Sequence, residues 1–314
     1  MRAYLGSRLQ TSLKVFWQLI KIMVPVMVAV KVAAEIGLID ALGPLLAPVM
    51  ALIGLPPEAG LVLVASFTIG IYGGLGALPL LADSATLTTG QLSIVCAMML
   101  FAHALPMEQA IVRKAGASFW FTAALRLVAA LLYALLVTAI CHATGWLSEP
   151  ADAGLLHRMA SPSAGWLDWL VSSVISLAAT FLIIVALILL LDLFERAGIT
   201  RRLTEAMMPL LRFSGLSRDL APVTTVGVLL GLTYGGGLII KEAQERNFEP
   251  KMRVLALCWI SLSHSLIEDT GLMLAVGADI WAVLVGRVAL TLLAIRLIAL
   301  ALDAMPGLVR RLAV

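Results

Sequence analysis

Apolar residues fall along the chain in blocks of about twenty, the length a helix needs to cross the hydrocarbon of a bilayer, and short polar stretches separate them. Eight blocks stand out: 16 to 36, 60 to 82, 91 to 112, 117 to 144, 166 to 194, 220 to 241, 252 to 267 and 279 to 302. Two shorter stretches, 40 to 54 (DALGPLLAPVMALIG) and 201 to 215 (RRLTEAMMPLLRFSG), mix apolar and polar positions and predict amphipathic helices lying along the membrane interface. Composition agrees with the pattern. Of 314 residues, 61% are hydrophobic and 13% charged, whereas water-soluble domains carry about 25% charged residues. The chain therefore predicts an all-α polytopic membrane protein in contact with the lipid bilayer. Arg2, Arg8 and Lys14 precede an apolar run ending in Val32-Ala33-Ala34, but that run is long for a signal peptide and reads as a first membrane helix.

The placement of Lys and Arg changes the count of crossings, because cytoplasmic loops carry the excess. Residues 1 to 14 hold three, 113 to 114 two, 196 to 218 five, 241 to 253 four and the tail two, Arg310 and Arg311. Segments 37 to 60, 83 to 90, 145 to 165 and 268 to 280 hold Arg158 alone. If 37 to 60 and 83 to 90 both face outward, block 60 to 82 enters and leaves on one face. If 196 to 218 and 241 to 253 both face inward, block 220 to 241 does the same from the cytoplasm. The prediction is six transmembrane helices and two re-entrant helical hairpins, 60–82 and 220–241, in a cell (inner) membrane with both termini cytoplasmic.

Both hairpin blocks contain Tyr-Gly-Gly, within IYGGLG at 71 to 76 and GLTYGGG at 231 to 237. A chain that turns at mid-membrane leaves backbone polar groups without helical partners, tolerated only beside protein or water, and glycine permits the turn and a close approach. Shifting the sequence by 161 residues aligns Gly37 with Gly198, Pro48 with Pro209, Gly54-Leu55 with Gly215-Leu216, Gly70 with Gly231, His103 with His264, Glu108 with Asp269 and Arg126 with Arg287. Each unit holds three crossings and one hairpin, an odd number of crossings, so the two run in inverted topology: 1–144 and 166–314, joined by an external linker at 145–165. Inverted repeats with glycine-interrupted half-helices point to a secondary transporter with its site at the repeat interface.

Gly54-Leu55-Pro56, then Ile69-Gly70-Ile71-Tyr72-Gly73-Gly74, then a polar break in the following span, resemble the nucleoside recognition or Gate domain. That domain occurs in concentrative nucleoside transporters, in the membrane region of ferrous iron transporter B and in spore maturation A and B proteins. The resemblance covers 37 to 144 and 198 to 302, with Ile69 where threonine is common and Ser217 in place of the proline. It implies hairpins that gate a solute path and leaves the substrate open.

Ionisable groups inside spans are costly and default to functional candidates. His103 and Glu108 flank Pro106, where the helix should break; His264, Glu268 and Asp269 fall in SHSLIEDT. With Tyr72, Gly73, Gly74, Tyr234, Gly235 and Gly236 these form the expected binding site for a small polar solute, Tyr72 to Gly74 and Tyr234 to Gly236 being the hairpin tips. Arg126 and Arg287, at matched depth in the next spans, are each placed to face a carboxylate of their own half. They are equally readable as structural ion pairs, and a carboxylate beside a histidine could relay protons. Cys96, Met99, His103 and Met107 recur at helical spacing as a soft-ligand stripe, but the second half offers Leu257, Ile260, His264 and Glu268. No metal ligand and no cofactor are assigned, and the three cysteines read as buried thiols. The reading is a transporter working by alternating access, with coupling to protons as one option. Its alternatives are a divalent cation transporter and a non-transporting membrane assembly protein. No nucleic-acid footprint, no long catalytic loop and no nucleophile beside a base is visible, so enzymatic activity is not expected. A homo-oligomer is compatible with the sequence.

Overall fold

A computed structural model of the chain describes residues 35–81, 87–151, 165–217 and 249–313, with scattered positions between 13 and 33 and between 220 and 229. The described positions between 13 and 33 are all helical. From there the elements are α1 (Leu38–Leu52), α2 (Glu58–Ile69), α3 (Ile71–Ala77, followed by a 3-10 turn at Leu78–Leu81), α4 (Thr89–Ala102), α5 (Leu105–Lys114), α6 (Phe119–Thr144), α7 (Trp166–Arg196), α8 (Ile199–Phe213), α9 (Pro250–Ser263), α10 (Glu268–Ala275), α11 (Arg287–Ala304, preceded by a π-helical stretch Trp281–Gly286) and α12 (Pro306–Leu312). No strand forms among the described residues, and the protein is an all-α membrane protein. Thr89–Lys114, Phe119–Thr144 and Trp281–Ala304 are long and apolar enough to cross a bilayer.

The usual distribution of polarity is inverted, as lipid contact requires. Leu132, Leu136, Leu293, Leu297 and Leu300 are exposed on α6 and α11, while Arg126, Arg287, Glu108 and both matched histidines are buried. Local signals set the ends of the elements. Thr88 and Gln91 close a capping box at the start of α4, Gly145 ends α6 in the left-handed conformation, and Pro250 occupies the first turn of α9.

Several features recur at the 161-residue spacing. α1 and α8 are both 15 residues long and both follow a left-handed glycine, Gly37 at φ 70° and Gly198 at φ 68°. α4 and α9 both end in an extended histidine, His103 (φ −66°, ψ 159°) and His264 (φ −75°, ψ 164°). Each histidine precedes a non-glycine residue with positive φ, Ala104 at 48° and Ser265 at 51°. The blocks 91 to 112 and 252 to 267 are thus broken helices, and their breaks fall at the same place.

The chain folds back at Gly70 (φ 130°, ψ −179°) between α2 and α3. A Cβ on Gly73 would lie 3.0 Å from the Ala65 carbonyl oxygen, and one on Gly74 2.8 Å from the Ser66 Cβ. Eight residues of one straight helix would hold those positions about 12 Å apart, so the two arms run side by side. The turn is at Gly70; Tyr72, Gly73 and Gly74 lie in the first turn of the returning arm, a correction to the expected tip. They lie past the turn because Gly70 supplies a conformation essentially confined to glycine. The arms begin and end at one end of the molecule, where Gln91 Nε2 donates to the Gly54 carbonyl at 2.8 Å. Their turn lies deep, where the Ala104 amide donates to the Ser66 carbonyl at 2.9 Å. Of 220–241, expected to form the second hairpin, only six positions are described; there the Leu266 amide donates to the Val228 carbonyl at 3.0 Å. Tyr234, Gly235 and Gly236 lie outside the described residues, as does most of the linker 145–165.

Polar segments gather at opposite ends. Thr89 and Gly90 donate to Glu149 and Leu147, and the Asp279 amide donates to Ser93 Oγ. Ser118 donates to Leu312, and Gly116 abuts the Arg253 guanidinium. The segments poor in Lys and Arg therefore share one end, and Arg113, Lys114, Arg253, Arg310 and Arg311 belong to segments that share the other.

Candidate functional site

The site is built by the two helix breaks. At each one the helix stops, the histidine extends, and the chain restarts after a strained left-handed residue, a conformation costing roughly 1–2 kcal/mol without glycine. The restarting helices α5 and α10 bring Glu108 and Asp269 back beside the histidines.

His103 and His264, 161 residues apart, face one another with ring centroids 4.7 Å apart. Their Nε2 atoms are 2.9 Å apart, and Glu108 Oε1 lies 3.1 Å from His264 Nε2 and 3.2 Å from His103 Nε2. Asp269 Oδ2 is 3.7 Å from His103 Nε2. The opposite ring nitrogens point back into their own helices, Nδ1 of His103 to the Met99 carbonyl at 2.9 Å and Nδ1 of His264 to the Ile260 carbonyl at 3.0 Å. A carbonyl only accepts, so each Nδ1 carries the proton. In the neutral ring the Nε2 lone pair then faces the junction. Both histidines, Glu108 and Asp269 are buried.

Arg126 places Nη1 on Glu108 Oε2 at 2.5 Å, Nε on the Phe101 carbonyl at 2.6 Å and Nη2 on the His103 carbonyl at 2.9 Å. Arg287 repeats the last two contacts on Leu262 at 3.0 Å and His264 at 3.2 Å, and Nη2 also reaches the Leu100 carbonyl of the other half at 2.9 Å. Each arginine thus caps a broken helix at its carbonyl end, where unpaired acceptors and the dipole favour a cation. The expected pairing with a carboxylate of the same half holds for Arg126 only. No carboxylate among the described residues lies within ion-pair distance of Arg287, whose Nη1 has no partner; its ring-face contact is Phe101, 5.8 Å from the guanidinium carbon.

Glu268 is half-buried and hydrogen-bonded by Tyr72, so the first hairpin touches the second half at this acid. Gly73 and Gly74 serve close packing, with Met99 and Ser66 against the face of Gly74. The soft-ligand stripe is not assembled at the junction: Met99 packs on Gly74, and Met107 is exposed to 53%. The sequence did not indicate that His103 meets His264, since nothing local joins positions so far apart; their equal place in the repeat was the available signal.

Residues 16–118 match the family described as nucleoside recognition (Gate), the family that the Gly54-Leu55-Pro56 and Tyr72-Gly73-Gly74 motifs resemble. The chain is similar to the uncharacterized membrane protein YvoD of Bacillus subtilis (strain 168), with 26% identity over 295 residues, covering 92% of this chain and 91% of that protein. No solved structure matches.

Proposed function

We propose that this membrane protein moves a small polar solute across the bilayer by alternating access, binding it where the two broken helices meet. The observation that carries the reading is the burial of His103, His264, Glu108 and Asp269 together at the paired helix breaks. Such groups are expensive at membrane depth and mark substrate or ion pathways, and discontinuous helices at a repeat interface are how secondary transporters build their sites. The recurrence of helix ends, left-handed residues and arginine contacts at 161 residues supports two inverted units. The gathering of segments rich and poor in Lys and Arg at opposite ends supports an arrangement with both termini cytoplasmic in a cell membrane. Return of the α2–α3 pair to the end where it began supports a re-entrant hairpin acting as a gate over the junction, with Tyr72 on Glu268 as the contact a gate would break.

Two solute classes have support. The description of the matched family, nucleoside recognition, favours a nucleoside-like organic solute; the ring of nitrogen and carboxylate atoms favours a divalent cation. Coupling to protons would use the same groups, His103, His264, Glu108 and Asp269, with Arg126 and Arg287 fixing the local charge. Purified protein in liposomes tests the transport reading. Flux of a nucleoside or a divalent cation that disappears in His103→Ala and in Glu108→Ala supports it. Flux unchanged in both removes the junction from the path, and no flux of either class favours a membrane assembly role.

A further inference from the structure

The contacts at the junction raise a problem of charge. With each Nδ1 donating to a carbonyl, two Nε2 lone pairs and a carboxylate oxygen meet within 2.9 to 3.2 Å of one another with no hydrogen fixed between them. Three electron-rich atoms so close repel unless a positive species lies among them. A proton on one nitrogen reaches the other two atoms only as a shared, bifurcated hydrogen bond. A metal ion can bind all three.

The geometry points to a divalent transition-metal site in which His103 Nε2, His264 Nε2 and Glu108 Oε1 are the ligands. It rests on the transport reading in one respect: if that reading holds, such a cation is the solute held at the junction. A point about 2 Å from all three atoms, the usual Zn–N and Zn–O distance, lies about 1 Å off their plane. An organic solute would have to part these three atoms, whereas a metal ion binds them where they stand. Three ligands on one side of the ion leave a fourth position open, as in sites that exchange a ligand. Asp269 Oδ2, 3.7 Å from His103 Nε2, is a second carboxylate beside the junction.

The surroundings hold the ligands as metal sites do. Each imidazole is oriented through its other nitrogen by a backbone carbonyl, and Glu108 is oriented through Oε2 by Arg126. The same contact leaves Oε1 free to face the ion. Both guanidiniums are turned onto carbonyl oxygens, of Phe101 and His103 for Arg126 and of Leu262, Leu100 and His264 for Arg287. Their charge is therefore directed partly away from the ligand atoms. Imidazole with one carboxylate suits zinc, iron(II), nickel(II) or copper(II) rather than magnesium or calcium, which take oxygen.

The test is made on full-length protein in detergent, stripped with chelator and titrated with Zn(II), and with Co(II) as a spectroscopic stand-in. Saturation at one ion per chain is expected, with zinc K-edge absorption fitting imidazole nitrogen and carboxylate oxygen at about 2.0–2.1 Å. His264→Ala and Glu108→Gln should each weaken Zn(II) binding at least about tenfold, provided they elute as the wild type does. His103→Cys should retain binding and shift preference toward Cd(II), a result that loss of folding cannot imitate. No saturable binding to folded wild type overturns the site, as does binding unchanged in folded His264→Ala. Failure of the transport reading shows separately: Zn(II) bound at the triad with no Zn(II) flux into liposomes leaves the metal site standing and removes transport.

Discussion

At the scale of single residues, the arginines illustrate how a buried charge is accommodated in a bilayer protein. Arg126 satisfies one carboxylate oxygen and two helix-end carbonyls at once, a demand that only a planar fork of donors meets. Arg126→Lys preserves the charge but leaves at least one of those buried acceptors unpaired, at about 1–3 kcal/mol each. Its melting temperature in detergent should fall clearly below wild type. If Arg126→Lys melts with the wild type, the fork is not what holds the break. Gly70 makes a second case. Its φ of 130° with ψ of −179° lies in a region that costs a side-chain-bearing residue of order 1–3 kcal/mol. Gly70→Ala should lower the melting temperature even though the nearest atom to the added methyl, Ala104 Cβ, is an ordinary 3.5 Å away. A loss there reports backbone strain rather than crowding.

At the scale of elements, the decisive feature is the helix break, and here the sequence was informative in part. Pro106 marked the first break, and the charges beyond it marked the segment as one that cannot be a plain span. What it did not indicate is how each break is made. Ala104 and Ser265 adopt a left-handed conformation that glycine usually takes, and nothing about alanine or serine announces it; neighbouring helices impose it, the Ala104 amide being held by the Ser66 carbonyl across from the first hairpin. Nor could spacing along the chain show that Arg287 would cap carbonyls instead of facing Asp269, since Leu262, His264 and Leu100 come together only when both halves pack. The amphipathic stretches 40 to 54 and 201 to 215 were legible because their pattern is local, and they appear as α1 and α8 with bounds shifted by about two residues. The strain at the break yields a paired expectation. Ala104→Gly should keep or raise thermal stability, as it relieves roughly 1 kcal/mol, whereas Ala104→Val, β-branched at positive φ, should lower it markedly. Equal melting temperatures for the two variants would mean that residue 104 leaves the left-handed region in solution.

At the scale of the whole molecule, the positions of the cations and the path of the backbone are independent observations that bear on the proposed orientation. The tail is tied to the loop after α5 by Ser118 donating to Leu312 and by the bridge between Ala117 and Ala313. α5 ends in Arg113-Lys114 and the tail carries Arg310-Arg311, and an excess of Lys and Arg is the usual mark of a cytoplasmic segment. The far end, where Thr89 and Gly90 meet Glu149 and Leu147, belongs to segments 83 to 90 and 145 to 165, which hold Arg158 alone. Between the two ends run α4 and α5, a broken element of 26 residues with the junction histidine just past its midpoint. If the molecule is oriented as the charges require, a cysteine introduced as Ser148→Cys, with Cys96, Cys141 and Cys258 replaced by serine, reacts with an impermeant thiol reagent added to intact cells. Arg311→Cys in the same background reacts only after the membrane is opened. Labelling of both from outside would place the tail beside Gly54 and Gln91, contradict the tie between Ser118 and Leu312, and leave the paired helix breaks without a common depth. The opposite outcome puts the His103–His264 contact between the two faces, the depth at which buried charges are hardest to explain unless something passes there.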